Sequence, residues 1–339
     1  MRGHKNCSII FSSFSQLIQF SILIISFICF SKNSLKTNML GLFNTSVETF
    51  ERKVFDCVQY NGESHMLYIR LWRLYPFVTK FIIVLSNTTH SGRPKVNSFE
   101  PFTKEINSFK DKIYFYYYEP KVTNDYSSQE ISWKRENAQR NSLLSALRKF
   151  SPKEGDLILM GDLDEIPTRQ GMELILENPP TYCYYLKGIF FTINHKYWLT
   201  DWSRFAVIVY TNTIHSFQTY RDTSHNIFEK GGYTLTHCTY CFPKIEMFVN
   251  KFKSSAHTEF SVYPFTNESY IFKRHYCRIV FHTNLTLKKT NHNLDFSQLI
   301  PNDPRMKYLI DENFRLDISK TIYKESDLPT LCNSPFTFP

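Results

Sequence analysis

"LILMGDLDEIPTRQG" (157–171) runs from unbroken apolar residues straight into two aspartates one residue apart, a glutamate and a proline. A short continuous apolar run ahead of such turn residues reads as a strand buried on both faces, as in the interior of a parallel sheet. We place this strand over 156–164, "DLILMGDLD". On an extended segment, residues i and i+2 project from the same side, so Asp162 and Asp164 converge while Leu163 points into the core. Three crowded carboxylates repel one another. A metal ion, a neighbouring arginine or water must neutralise them. Hard oxygen ligands suit Mg or Mn rather than zinc, and a cation held there would bind a diphosphate and stabilise charge developing on it as a leaving group. A D-x-D triplet also arises by chance, so its weight comes from its place at a strand end. Glu165 reads as a carboxylate at the start of the next helix, near its positive end.

Outward from this stretch, strands and helices alternate. "ESHMLYIRLWRLY" (63–75) puts Leu67, Leu71 and Leu74 on one helical face, and "KFIIVLSN" (80–87) follows as a buried strand. "KIYFYYYE" (112–119) is a second strand, and "ISWKRENAQRNSLLSALRKF" (131–150) is a helix with a polar first half. "TRQGMELILEN" (168–178) is a helix after Pro167, and "TYCYYLKGIFFTINHKYWL" and "SRFAVIVYT" supply further strands. "KIEMFVNKFKSSAH" (244–257) presents Ile245, Phe248, Val249 and Phe252 as plain core packing. The pattern predicts an α/β fold with a mainly parallel central sheet, whose ligands sit beyond the carboxyl ends of the strands.

The chain has 339 residues, 42% of them hydrophobic and 17% aromatic, with a net charge of +9. A basic balance fits nucleic acid, anionic lipid or a phosphate-bearing substrate. Zinc-finger spacing, an RNP-like aromatic motif and an arginine block are all absent, which argues against nucleic acid as a partner. No charged residue lies between Lys5 and Lys32, and "LIQFSILIISFICF" (17–30) follows Arg2, His4 and Lys5. This predicts an uncleaved signal anchor: a cytosolic tail over 1–8, a transmembrane helix over 9–31 and a stem over 32–53. The domain over 54–325 would then lie in the secretory lumen, with a C-terminal tail over 326–339. Sequons at Asn44, Asn87, Asn267 and Asn284 agree with that placement. Apart from Cys7 and Cys29, six cysteines remain, namely Cys57, Cys183, Cys238, Cys241, Cys277 and Cys332, an even set for disulfides in an oxidising compartment. "CTYC" (238–241) has no second C-x-x-C, so we read it as a disulfide rather than half of a zinc site.

The blocks "FDCVQYNGESHMLYIRLWRLYPFVTKFIIVLSNTTHSGRPK", "WKRENAQRNSLL", "GDLILMGDLDEIPTRQG" and "HCTYCF" occur in that order. Together they resemble glycosyltransferase family 17 from about residue 54 to residue 260, and more faintly to about 318. The resemblance implies a Golgi type II membrane enzyme with a GT-A-like fold, a UDP-sugar donor, a glycan or glycoprotein acceptor and a divalent metal, Mn or Mg. It further implies inverting transfer of N-acetylglucosamine onto a mannose-containing N-glycan or a related glycan. Asp162 and Asp164 match the family's metal-binding pair. His237 matches the histidine of the H-C-x-x-C block, where it is either an imidazole ligand or a structural hydrogen-bonder. Asn137 and Arg140 match the polar helix before the metal strand and either face the donor or, for Arg140, neutralise Asp164.

Inverting transfer needs a carboxylate opposite the metal to take the acceptor proton. Glu259 in "SSAHTE" is the first choice, with Glu246 and Asp201 as alternatives, and each is also readable as an ordinary surface carboxylate. Two departures from the family pattern stand out: Leu85 where relatives carry Glu, and Leu235-Thr236 where they carry Gly-Trp. They place the donor and acceptor in question rather than the fold, and leave a catalytically silent glycan-binding protein as the alternative. A glycosidase needs opposed carboxylates, whereas Asp162 and Asp164 are read side by side.

Overall fold

The structure is a computed structural model and describes residues 52–120, 128–223, 226–289 and 300–334. The N-terminal half contributes β1 (Val54–Gln59), α1 (Ser64–Leu74), β2 (Lys80–Ser86), α2 (Thr103–Asn107), β3 (Ile113–Tyr118), α3 (Gln129–Arg148) and β4 (Leu157–Met160). Its four strands pair in parallel in the order β3-β2-β1-β4. Their alternation sorts side chains onto two faces. Val54, Val58, Phe81, Ile83, Leu85, Leu157 and Leu159 pack with Leu67, Leu71 and Leu74 of α1. Phe55, Cys57, Ile82, Val84, Ile158 and Met160 pack instead under Leu143, Leu144 and Leu147 of α3. Burial on both faces is what made these strands continuous apolar runs.

The second half adds β5 (Glu165–Pro167), α4 (Arg169–Glu177), β6 (Cys183–Leu186), β7 (Gly188–Phe191), β8 (Tyr197–Trp202) and β9 (Ala206–Val209). It continues through α5 (Gln218–Asp222), β10 (Ile227–Phe228), β11 (Leu235–Cys238), α6 (Ile245–Ser254), α7 (Glu268–Tyr276), β12 (Lys288–Lys289) and α8 (Leu328–Leu331). The main sheet has seven strands in the order β10-β6-β9-β4-β1-β2-β3, mostly parallel, with β9 antiparallel to both of its neighbours. A second sheet, β12-β8-β7-β11-β5, is mainly antiparallel. The mixed α/β expectation holds; the second sheet was not foreseen.

The strand expected over 156–164 stops at Met160. Leu163 and Asp164 lie in a turn, and β5 starts at Glu165. Gly161 permits the break: a Cβ there would stand 2.4 Å from the Phe205 ring and 2.7 Å from Glu165 Oε2. The turn closes on itself, with Asp162 N–H donating to Glu165 Oε2 (2.9 Å) and Glu165 N–H donating to the Asp162 carbonyl (3.1 Å). Arg70 of α1, fully buried, donates to the carbonyls of Asp162 (3.0 Å), Leu163 (3.3 Å) and Glu165 (2.7 Å). Its other edge makes a two-point pair with buried Asp56 of β1, both contacts at 2.7 Å. Leu163 is buried, as expected. Glu165 is not the carboxylate at the head of α4: Thr168 caps that helix, its hydroxyl accepting from Gly171 N–H at 2.9 Å.

Two disulfides form, Cys238–Cys241 and Cys277–Cys332, the first as expected. Cys57 and Cys183 are unpaired, so four of the six cysteines available for disulfides are used. They sit on β1 and β6, with β4 and β9 between them. That separation is about 14 Å, twice what a disulfide spans. Beyond residue 325, where a tail was expected, α8 packs Leu331 into the C-terminal core and Cys332 is tied to α7's end. Among the described residues no helix is long and apolar enough to cross a membrane. The expected tail over 1–8, the anchor over 9–31, nearly all of the stem, Asn44, Cys7 and Cys29 lie outside the described residues.

Candidate active site

A cavity of about 770 Å³ opens where β1 and β4 end, a volume ordinary for small-molecule sites. Gln59, Asn61 and Glu63 line it from β1 and the loop beyond. Trp133, Glu136, Asn137 and Arg140 come from α3, and Asp162 to Asp164 from the β4 turn. Trp202, Arg221, His237, Lys251 and His257 complete the opposite wall. Four buried polar atoms on this lining have no hydrogen-bond partner among the described residues: Gln59 Oε1, His90 Nε2, Asn137 Oδ1 and His237 Nδ1. Leaving polar atoms buried and unpaired is costly, so such a lining is suited to a polar ligand.

The question of what neutralises the three carboxylates has a definite answer. Asp162 Oδ1 meets Arg140 Nη2 at 3.0 Å and its Oδ2 meets Arg221 Nη2 at 2.5 Å. Burial opposes its ionisation, but Arg221 and Arg140 outweigh that and hold its carboxyl below the ordinary range. Glu165, fully buried, takes Arg221 on both oxygens (2.7 and 2.8 Å) and accepts from Trp202 Nε1 at 2.7 Å. Arg140 also reaches Glu136 at 2.6 Å, and Glu136 has His90 at 3.3 Å. Burial works against the Glu136 charge too, and His90 and Arg140 overcome it.

Asp164 looks elsewhere. Its Oδ1 lies 3.5 Å from His237 Nε2, and its Oδ2 accepts from Thr239 Oγ1 at 2.9 Å and faces Lys251 Nζ at 3.5 Å. Against the cost of burial, Lys251 and His237 keep its carboxyl well below the usual carboxylate range. Lys251 also bonds Glu63 Oε1 at 2.7 Å. Burial nevertheless raises the Glu63 carboxyl above its ordinary value, only partly offset by Lys251. The ring of His237 is wedged between Phe190 and Trp202, with centroids at 4.6 and 4.3 Å. Asp162 and Asp164 therefore share a turn but no partner, and Arg140 neutralises Asp162 rather than Asp164.

The donor set can be tested for a cation. Among the described residues no group of three His, Cys, Asp or Glu side chains is placed to hold a metal. Mg-like ions, however, are commonly held by one or two carboxylates together with substrate phosphates. Asp164, with His237 beside it on the cavity wall, fits the one-carboxylate form of that role better than Asp162: its charged neighbours His237 and Lys251 stand off at 3.5 Å, whereas both oxygens of Asp162 are closed by guanidinium groups at 3.0 and 2.5 Å.

The remaining expected residues separate by position. Asn137 and Arg140 line the cavity. Glu246 does not; it is half-buried on α6 and paired with Lys320 at 2.9 Å. Asp201 points to solvent on β8 and accepts from Tyr233 at 2.8 Å. Glu259 does not line it either; it is exposed and bonded to His257, which does. Leu85 is buried in the core, and Leu235 and Thr236 are buried on β11, so none of the departures from the family pattern lines the cavity. Glu63, Arg221, Trp202 and Lys251 were missed. For Lys251 a signal existed: a lone cation between Phe248 and Phe252 on a helix read as core packing. Asn87, Asn267 and Asn284 are all exposed.

The family model of glycosyltransferase family 17 matches residues 24–279. The chain belongs to that family and is a glycosyltransferase, which implies a nucleotide-sugar donor and a glycan acceptor. No curated relative matches the chain. Among solved structures, the inositol-1-phosphate CTP transferase from T. maritima aligns over 55% of this chain and 84% of its own, at 8% identity and a TM-score of 0.23. That likeness is too slight to carry an argument.

Proposed function

We propose that this chain transfers N-acetylglucosamine from UDP-N-acetylglucosamine, with inversion, onto a mannose-containing N-glycan or a related glycan. The observation that carries the reading is the Asp164–His237 pair on the wall of a polar cavity at the carboxyl ends of β1 and β4. Ligands of open α/β sheets bind at such ends. Asp164 and His237 would hold a divalent ion, Mn or Mg, whose chemistry is to neutralise charge growing on the departing diphosphate. Asn137 and Gln59 offer unpaired amide oxygens to the donor's hydroxyl or N–H groups. Asp162 acts one step removed, fixing Arg140 and Arg221 at the cavity edge. The uncharged stretch between Lys5 and Lys32 and the exposed sequons support a single-pass type II protein of the Golgi membrane with its catalytic domain lumenal.

The test is transfer by the full chain from labelled UDP-N-acetylglucosamine, with Mn or with excess EDTA, and in Asp164→Asn. Loss of transfer in EDTA and in the variant, with Mn-dependent UDP affinity lost as well, is the expected result. Undiminished transfer under either condition refutes the metal-assisted reading.

A further inference from the structure

The lining contains a histidine that neither the family resemblance nor the metal reading uses. His257 lines the cavity, and its Nδ1 lies 2.7 Å from Glu259 Oε1. The second oxygen of Glu259 accepts from Gln129 Nε2 of α3 at 2.7 Å, so the carboxylate is fixed at both ends. The imidazole is held edge-on to Trp133, with centroids 4.8 Å apart, and stacked on Phe260 at 5.6 Å. No described residue hydrogen-bonds its Nε2. A carboxylate at Nδ1 selects the tautomer with the proton on Nδ1, which leaves a lone pair on Nε2. Glu259 itself does not line the cavity. Half-buried Tyr240, also on the lining, has its hydroxyl pKa raised chiefly by desolvation, against the lowering pull of Lys251, with Asp164, Glu63 and Glu259 adding to the rise. His257, Tyr240 and Asp164 thus border the same space.

We propose that His257 is the catalytic base of the transfer and that Glu259 is its positioning residue; this rests on the transferase reading above. Nε2 takes the proton of the acceptor hydroxyl as the hydroxyl oxygen bonds the anomeric carbon of the donor sugar. The bond from that carbon to the diphosphate oxygen breaks, and its electron pair leaves on UDP. The imidazolium, compensated by Glu259, then releases the proton to water. A base oriented by a second group is a recurrent arrangement for activating a hydroxyl.

The full chain is assayed for transfer from UDP-N-acetylglucosamine to a mannose-containing glycan, and for UDP affinity by calorimetry. For His257→Ala the expected result is a fall in kcat of about 100-fold or more, with UDP affinity within about twofold of the parent and partial recovery when imidazole is added. Glu259→Gln is expected to lower kcat by roughly tenfold with no imidazole response. The assignment is overturned if His257→Ala keeps kcat within about threefold of the parent. It is also overturned if imidazole restores nothing, or if His257→Ala and His257→Gln both lose UDP affinity along with rate, which marks a structural ring. A parent chain that transfers nothing refutes the transferase reading; a parent that transfers beside an indifferent His257→Ala refutes only the base.

Discussion

Replacing Glu165 with alanine isolates what the buried charge cluster does for the fold. The substitution removes both contacts to Arg221, the acceptor for Trp202 Nε1 and the acceptor for Asp162 N–H. Arg221 keeps Asp162, whose side chain is 35% exposed and so a weaker counter-ion than Glu165, at 0%. Breaking a buried pair by removing one partner costs about 3–5 kcal/mol, because a desolvated charge is left behind. For a domain of about 290 residues, an unfolding entropy near 2 cal/mol/K per residue gives roughly 0.6 kcal/mol per degree, so about 4 kcal/mol lowers Tm by about 7 °C. The measurement is thermal unfolding followed by near-ultraviolet circular dichroism at neutral pH. Asp162→Asn serves as the comparison, since it removes a half-exposed carboxylate from the same two arginines and is expected to lower Tm by less. A Glu165→Ala chain that melts within about 2 °C of the parent, a cost near 1 kcal/mol, would refute the claim that Glu165 is the buried counter-ion of this site.

Three further outcomes are expected. Gly161→Ala drives a methyl group into Phe205 and Glu165, an overpacking worth about 1–3 kcal/mol in urea denaturation; a neutral effect would mean the turn is not set by that close approach. His65, His195 and His275 are fully buried, and burial lowers their pKa to about 4, about 3 and about 3. The unfolded chain therefore binds more protons than the folded one below about pH 6.5, and stability falls as pH drops toward 4, by about 1–2 kcal/mol per histidine at pH 5. A Tm at pH 5 equal to that at pH 7 would contradict this. Removing the Cys277–Cys332 bond as the double serine variant opens a loop of sequence separation 55. Chain entropy puts the loss near 4 kcal/mol, read as a lower Tm and checked against the reduced parent.

The sheet was legible because β1, β2 and β4 are buried on both faces and must be apolar throughout. The helices were legible where leucines recur at helical spacing, as at Leu143 and Leu147. The second sheet was not, because β5 and β12 have three and two residues, too few for any period to show. The end of β4 was misread because the aspartates in 162–164 extend a strand pattern just as readily as they form a turn. What decides between the two is Arg70, hydrogen-bonded to three carbonyls from 92 to 95 residues away in sequence. Arg221, in the polar stretch "TYRDT", lies 59 residues from Asp162 and carries no local pattern that points back to it. His257 was overlooked beside Glu259 because sequence alone does not say which of two neighbouring polar groups the cavity reaches.

The charges of Glu136, Arg140, Asp162, Glu165 and Arg221 have a consequence for how this chain drifts over generations. Each group's burial is tolerable only while its counter-charges are present, so a single loss strands the others. Lineages that keep one of these five residues are expected to keep the rest, and those that abandon the arrangement to abandon it whole. Neutral variation should therefore run freely over the outer helix faces and halt at this cluster, which is inherited as one character spread over 86 positions of sequence, from Glu136 to Arg221.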